Sequence, residues 1–190
     1  MPALFLLCSL CACQSLRHPQ AAPQPTESGT PEKSAADLQT RDNALALLDD
    51  LLNDEKNVSK VLIIKSNSDE LGRLIKNISK TAGNSAVMLE SLAKSEPGLD
   101  LKKLDLPPGE ATARKAISKE KEHVLLHSKD AEFEFQLLLT QVEALNYGAN
   151  LALVAAENEP RASNTRELLA LSAQLRDLHE QVLAMLRVKR

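Results

Sequence analysis

Glu120, His123 and His127 are the residues of this 190-residue chain whose types and spacing come nearest to chemistry. Offsets of three and four put side chains on one face of a helix, and imidazole suits Zn, Cu or Ni. EKEH, Glu120 to His123, also supplies one Glu-x-x-His unit. Di-metal carboxylate bundles need two such units, plus one Glu from each of two further helices. The second unit is missing: His179 has Arg176 three residues before it, and a guanidinium cannot ligate a cation. The plain alternative for EKEH is a solvated, charged segment, and no cofactor is expected.

Four more positions define a candidate pocket. Glu55 is the one carboxylate that falls on the apolar stripe of its segment. Gly148 sits inside a helical pattern, where Gly costs about 1 kcal/mol relative to Ala. Either a neighbouring helix passes close to it, or a pocket opens beside Tyr147, Asn146 and Asn150. His179 lies next to an apolar stripe and is expected to be packed and hydrogen-bonded. No Ser or Cys stands in a recognisable relation to a base, and PPGEATA lacks the Lys and glycine spacing of a phosphate loop. The expectation is a protein that is not an enzyme.

The cysteines point to export. All three, Cys8, Cys11 and Cys13, fall in the first thirteen positions. Residues 3–12, ALFLLCSLCA, are too short to span a bilayer, which takes about 20 residues, but suit the apolar core of a signal peptide. Leu10, Cys11, Ala12 and Cys13 resemble a bacterial lipobox, with Leu at −3 and a small residue before the cysteine that receives lipid. Leu7 and Leu10 are too bulky to precede the acceptor, which leaves Cys13. MPALFLL lacks the basic start usual in such leaders. After it, QSLRHPQAAPQPTESGTPEKS carries four prolines and no apolar period, the composition of an extended tether. The expected organisation is a signal peptide over 1–12, a tether over 13–40 and a helical domain over 41–190. The competing reading of the leader is a buried apolar N-terminus of a cytosolic protein.

The elements that must position these residues are helices. Aromatics are scarce and Leu, Ala, Glu and Lys dominate, which favours helix. A net charge of −3 with interleaved signs offers no basic face for nucleic acid. Three- and four-residue spacing predicts helix one on Ala44, Leu48, Leu51, Glu55, Val58 and Leu62. Helix two follows on Leu71, Leu74, Ile75, Ile78, Ala82, Ala86, Leu89, Leu92 and Ala93. Pro97 and Gly98 end it, and the loop SEPGLDLKKLDLPPG should fold Leu99, Leu101, Leu104 and Leu106 over one end. Helix three starts after Pro108, kinks or breaks near 127–130, and continues on Phe135, Leu138, Val142, Leu145, Ala149, Ala152 and Ala156. Helix four carries Leu168, Leu171, Leu175, Leu178, Val182 and Met185. Four such rods predict an all-α, antiparallel up-down-up-down four-helix bundle. A helical hairpin completed by dimerisation is the alternative, so a monomer or homodimer is expected.

EFEFQLLLTQVEAL, Glu132 to Leu145, and RDLHEQV around His179 resemble a large family of bacterial envelope proteins of unknown function with a ferritin-like four-helix domain. The resemblance covers about the last third of the chain. It implies a ferritin-like fold, and His179 as the position where a family histidine is retained; Leu145 stands where the family commonly has another. The expectation is an envelope lipoprotein on the periplasmic face of a bacterial membrane, held there by its lipid, that binds an unknown protein or small molecule. A metal-binding ferritin-like redox or storage protein and a cytosolic adaptor are the alternatives.

Overall fold

The computed structural model describes residues 33–188; Cys13, the leader and most of the expected tether lie outside them. Five long helices, one 3-10 turn and one single-turn α-helix make up this region, and no strand occurs among the described residues.

Helix α1, Ala35–Glu55, begins earlier than the expected boundary at residue 41. The reason is local: Ser34 Oγ accepts from the Asp37 amide at 3.2 Å while Asp37 Oδ2 accepts from the Ser34 amide at 2.9 Å. This reciprocal pair satisfies two of the free donors of the first turn. Helix one was expected to run on through Leu62, but α1 stops at Glu55 and a 3-10 turn, Val58–Lys60, leads into the single turn α2, Val61–Ile64. Two asparagines mark the break. Asn53 and Asn57 donate their side-chain amides to the carbonyls of Asp49 and Asn53, the local competition that makes Asn a poor helix-interior residue.

Helix α3, Asp69–Ser95, buries its whole predicted stripe except half-buried Ala93. It ends before Gly98, whose φ of +107° turns the chain in a region that L side chains avoid. In the loop that follows, Leu99 and Leu101 are buried, whereas Leu104 is exposed. Helix α4, Pro108–His127, and helix α5, Asp130–Asn158, are separated by Ser128 and Lys129, so the expected interruption near 127–130 is a complete break. The two halves differ in kind. No residue of α4 is buried, while α5 contributes Phe133, Leu137, Leu138, Leu145, Ala149, Ala152, Ala155 and Ala156 to the core. Helix α6, Ala162–Val188, buries all six residues of its predicted stripe.

The core therefore lies between α1, α3, α5 and α6. At one end, buried Arg41 of α1 bonds Glu96 at 2.7 Å and Glu159 at 3.4 Å, and Arg161 pairs with Glu96. At the other, Glu134 of α5 accepts from the Ser68 amide ahead of α3. Lys65 Nζ donates to the carbonyls of Leu126 and Ser128. These contacts correct the expected up-down-up-down order, which needs α3 and α5 to run in opposite senses. The two helices start together, where Ser68 meets Glu134, and finish together, where Glu96 meets Arg161.

Candidate functional site

Within this apolar interior one polar cluster lacks partners. Gln141, on α5, is completely buried, and neither its amide nitrogen nor its amide oxygen has a hydrogen-bond partner within reach among the described residues. Glu55, in the last turn of α1, turns an equally enclosed and unbonded Oε2 toward the same region. Most buried polar atoms in folded proteins find a partner, and each one that does not costs about 1–3 kcal/mol. Three orphaned atoms on two neighbouring side chains are therefore a feature to be explained.

The electrostatics follow from the enclosure. Burial disfavours the charged carboxylate and pushes the Glu55 pKa up from 4.5 to about 7; the adjacent Gln141 amide opposes that rise, Asp54 adds to it, and Lys121 of α4 counters it through space. Close to neutral pH the group is thus divided between acid and carboxylate. Glu55 and Gln141 together offer acceptors, a donor and one exchangeable proton. That set can hold a small polar molecule or a water, and it can take up or release a proton.

Helix α4 passes close enough for Lys121 to act on Glu55, and Lys121 also pairs with Glu143 of α5. Arg114 of α4 stacks its guanidinium over Tyr147 at 5.3 Å. The cover over this side of α5 is consequently a helix held by surface contacts.

The other expected site residues are dispersed. Gly148 is where helices meet: a Cβ there would lie 3.0 Å from Leu51 Cδ2 and 3.2 Å from Leu175 Cδ1. Close approach by α1 and α6 accounts for the glycine. Tyr147, next to it, is partly exposed beneath Arg114, while Asn150 bonds back to the Asn146 carbonyl at 2.8 Å. His179 is half-buried, with Nδ1 3.7 Å from Glu180. Of the expected pocket, then, only Glu55 joins a buried polar site, and its companion is Gln141.

Of the expected metal ligands, the structure brings two together. His123 and His127 stack with ring centroids 4.0 Å apart and 16° between planes, and His127 Nδ1 lies 2.8 Å from the His123 carbonyl oxygen. Stacked rings set their nitrogens side by side and do not converge on one point. No group of three or more His, Cys, Asp or Glu side chains that could hold a metal occurs among the described residues.

A second polar site was not anticipated. Asp49 is buried on α1 and accepts from Lys102 of the 96–107 loop at 2.7 Å through Oδ2, while Oδ1 has no partner among the described residues. Lys102 is largely exposed, and its pKa is raised chiefly by that hydrogen bond. A cleft of about 90 Å³ opens beside it, lined in part by Asp50, Asn53 and Leu104.

Comparison of the chain with protein-family models, with characterised proteins and with solved structures yields no match.

Proposed function

We propose that the protein is an envelope lipoprotein, anchored through Cys13 to the periplasmic face of a bacterial membrane, and that its helical domain is a non-enzymatic binding module. In this reading α1, α3, α5 and α6 form a four-helix bundle of ferritin-like order. Successive core helices that run the same way, as α3 and α5 do, require a connection spanning the bundle length. The 96–107 loop and α4 supply it.

The observation that carries the binding role is the Glu55–Gln141 cluster. Glu55 and Gln141 face each other and find no further partner for Glu55 Oε2 or the Gln141 amide among the described residues; such a pair at the edge of an apolar interior lowers stability, and a ligand that completes it accounts for its presence. The matching chemistry is a small polar molecule that donates to Glu55 Oε2 and the Gln141 carbonyl and accepts from the Gln141 amide. α4 buries no residue fully and touches the core through half-buried Leu125 near its end, so its earlier turns can lift to admit such a molecule at little cost in packing.

Native mass spectrometry of the purified protein tests this. A non-covalent small molecule is expected on the wild type and is expected to be lost on Gln141→Leu; a bare wild-type mass, or equal occupancy of the two proteins, counts against the module. Anchoring is tested separately by labelling cells with a palmitate analogue. Wild type should take up label and Cys13→Ala should not.

A further inference from the structure

The single-turn helix α2 carries two adjacent isoleucines in an unusual position. Ile63 is 85% and Ile64 62% exposed. Successive residues of a helix point about 100° apart, so two neighbours that both face water belong to a projecting tip and not to one flat face. The tip is held rigidly from behind. Lys65 Nζ bonds the carbonyls of Leu126 and Ser128 and lies 5.9 Å from the centre of the Phe133 ring.

More apolar surface collects at the same end. Leu126, at the close of α4, and Val188, at the close of α6, are both exposed. A groove of about 160 Å³ runs between Phe135 and Leu139 of α5 and Leu183, Leu186 and Arg187 of α6. Cations surround this surface. Lys60 and Lys65 bracket the isoleucines, Lys129 and Arg187 follow at the neighbouring helix ends, and residues 56–65, KNVSKVLIIK, contain three lysines and no acid. Carboxylates share this end: Asp69 and Glu70 open α3, and Asp130, Glu132 and Glu134 fall at the start of α5, with Glu134 taken up by the Ser68 amide; the first turn of a helix is its positive end. The opposite end of the domain is a polar closure of Arg41, Glu96, Glu159 and Arg161.

A projecting apolar tip with exposed Lys60 beside it and Lys129 and Arg187 at the neighbouring helix ends matches one kind of surface better than any other. We propose that this end of the domain docks on an anionic phospholipid surface, with Ile63 and Ile64 entering the acyl region and the exposed Lys60, Lys129 and Arg187 at the level of the phosphates. Apolar insertion and charge attraction reinforce each other in such contacts. Two side chains without the cations would hold only weakly, and the cations alone would be released by salt. The docking is independent of the lipid at Cys13. The described chain begins at the other end, where Lys33 bonds the Glu157 carbonyl.

The absence of tryptophan from the chain makes the test direct. Full-length protein carrying Ile64→Trp is mixed with vesicles of phosphatidylcholine and phosphatidylglycerol, or of phosphatidylcholine alone, and emission is recorded. A blue shift is expected with the anionic vesicles, weakened by added salt and small with the neutral ones. Leu169→Trp, on the exposed flank of α6, should show none. Adding Ile63→Asp to the Ile64→Trp protein should weaken partitioning about tenfold or more, with circular dichroism confirming that the fold is kept. No shift at position 64, an equal shift at position 169, or equal shifts with both vesicle types would overturn the proposal.

Discussion

Glu55 makes folding stability depend on pH in a definite sense. Its pKa in the folded chain is about 7 against 4.5 when solvated, so between those values the native state holds more protons than the unfolded one. Stability therefore falls as pH rises through this window. The contribution is flat below the lower value, and above the upper one the penalty is complete, on the order of 3 kcal/mol. Glu55→Gln removes the titration. Urea unfolding at several pH values should find this variant more stable than wild type at about pH 8 and no better below about pH 4; parallel pH curves for the two proteins would contradict the assignment. Glu55 stands out in the sequence because a carboxylate interrupts a row of leucines. Gln141 does not, since an uncharged amide among Leu, Thr and Val reads as ordinary surface. The signal that finds it is the row at four-residue spacing, Phe133, Leu137, Gln141, Leu145 and Ala149, every member of which is buried. The stripe read from the sequence finds Leu138, Leu145, Ala149, Ala152 and Ala156 in the core, with Phe135 and Val142 half-buried at its edge, but it passes over Gln141.

At the scale of elements, the stripes of α3 and α6 were legible because each helix buries one face in one core, and periodicity reports that directly. The termini were less so. The early start of α1 depends on a reciprocal cap made by Asp in place of the commoner Glu, and its early stop depends on asparagine amides turning back on the helix. α4 differs: no apolar stripe is read between Pro108 and His127, where charged residues are frequent, and the helix buries none of its residues. Gly148 shows how tightly the core helices pack. Gly148→Ala gains about 1 kcal/mol of helix propensity, which offsets the displacement of half-buried Leu51, so thermal melting should change little. A branched side chain has no such room, and Gly148→Val should lower stability by about 1–3 kcal/mol. A neutral Gly148→Val would show that α1 and α6 can separate there.

For the molecule as a whole, the charged closure matters most. Arg41 is the only contact within hydrogen-bond reach of Glu159 Oε2 among the described residues, and both side chains are almost wholly enclosed. Arg41→Ala leaves buried carboxylate charge short of a partner and should cost about 3–5 kcal/mol in chemical denaturation. Lys121→Ala breaks the more exposed pair with Glu143 and should cost less than about 1 kcal/mol. Equal losses for the two variants would mean that enclosure is not what gives the closure its strength. The order of the helices was beyond reach of the sequence, because similar stripes are compatible with either sense of α5. Single contacts between distant residues, such as Ser68 with Glu134, decide it.

One consequence of a helix without buried residues concerns what happens when the chain is cut. Trypsin should find Arg114, Lys115 and Lys119 in α4 before it reaches any site in the core helices, since local opening there sacrifices little packing. The pieces on either side of that nick remain interlocked through α1 and α5 and should travel as a single species in gel filtration, coming apart only in denaturant.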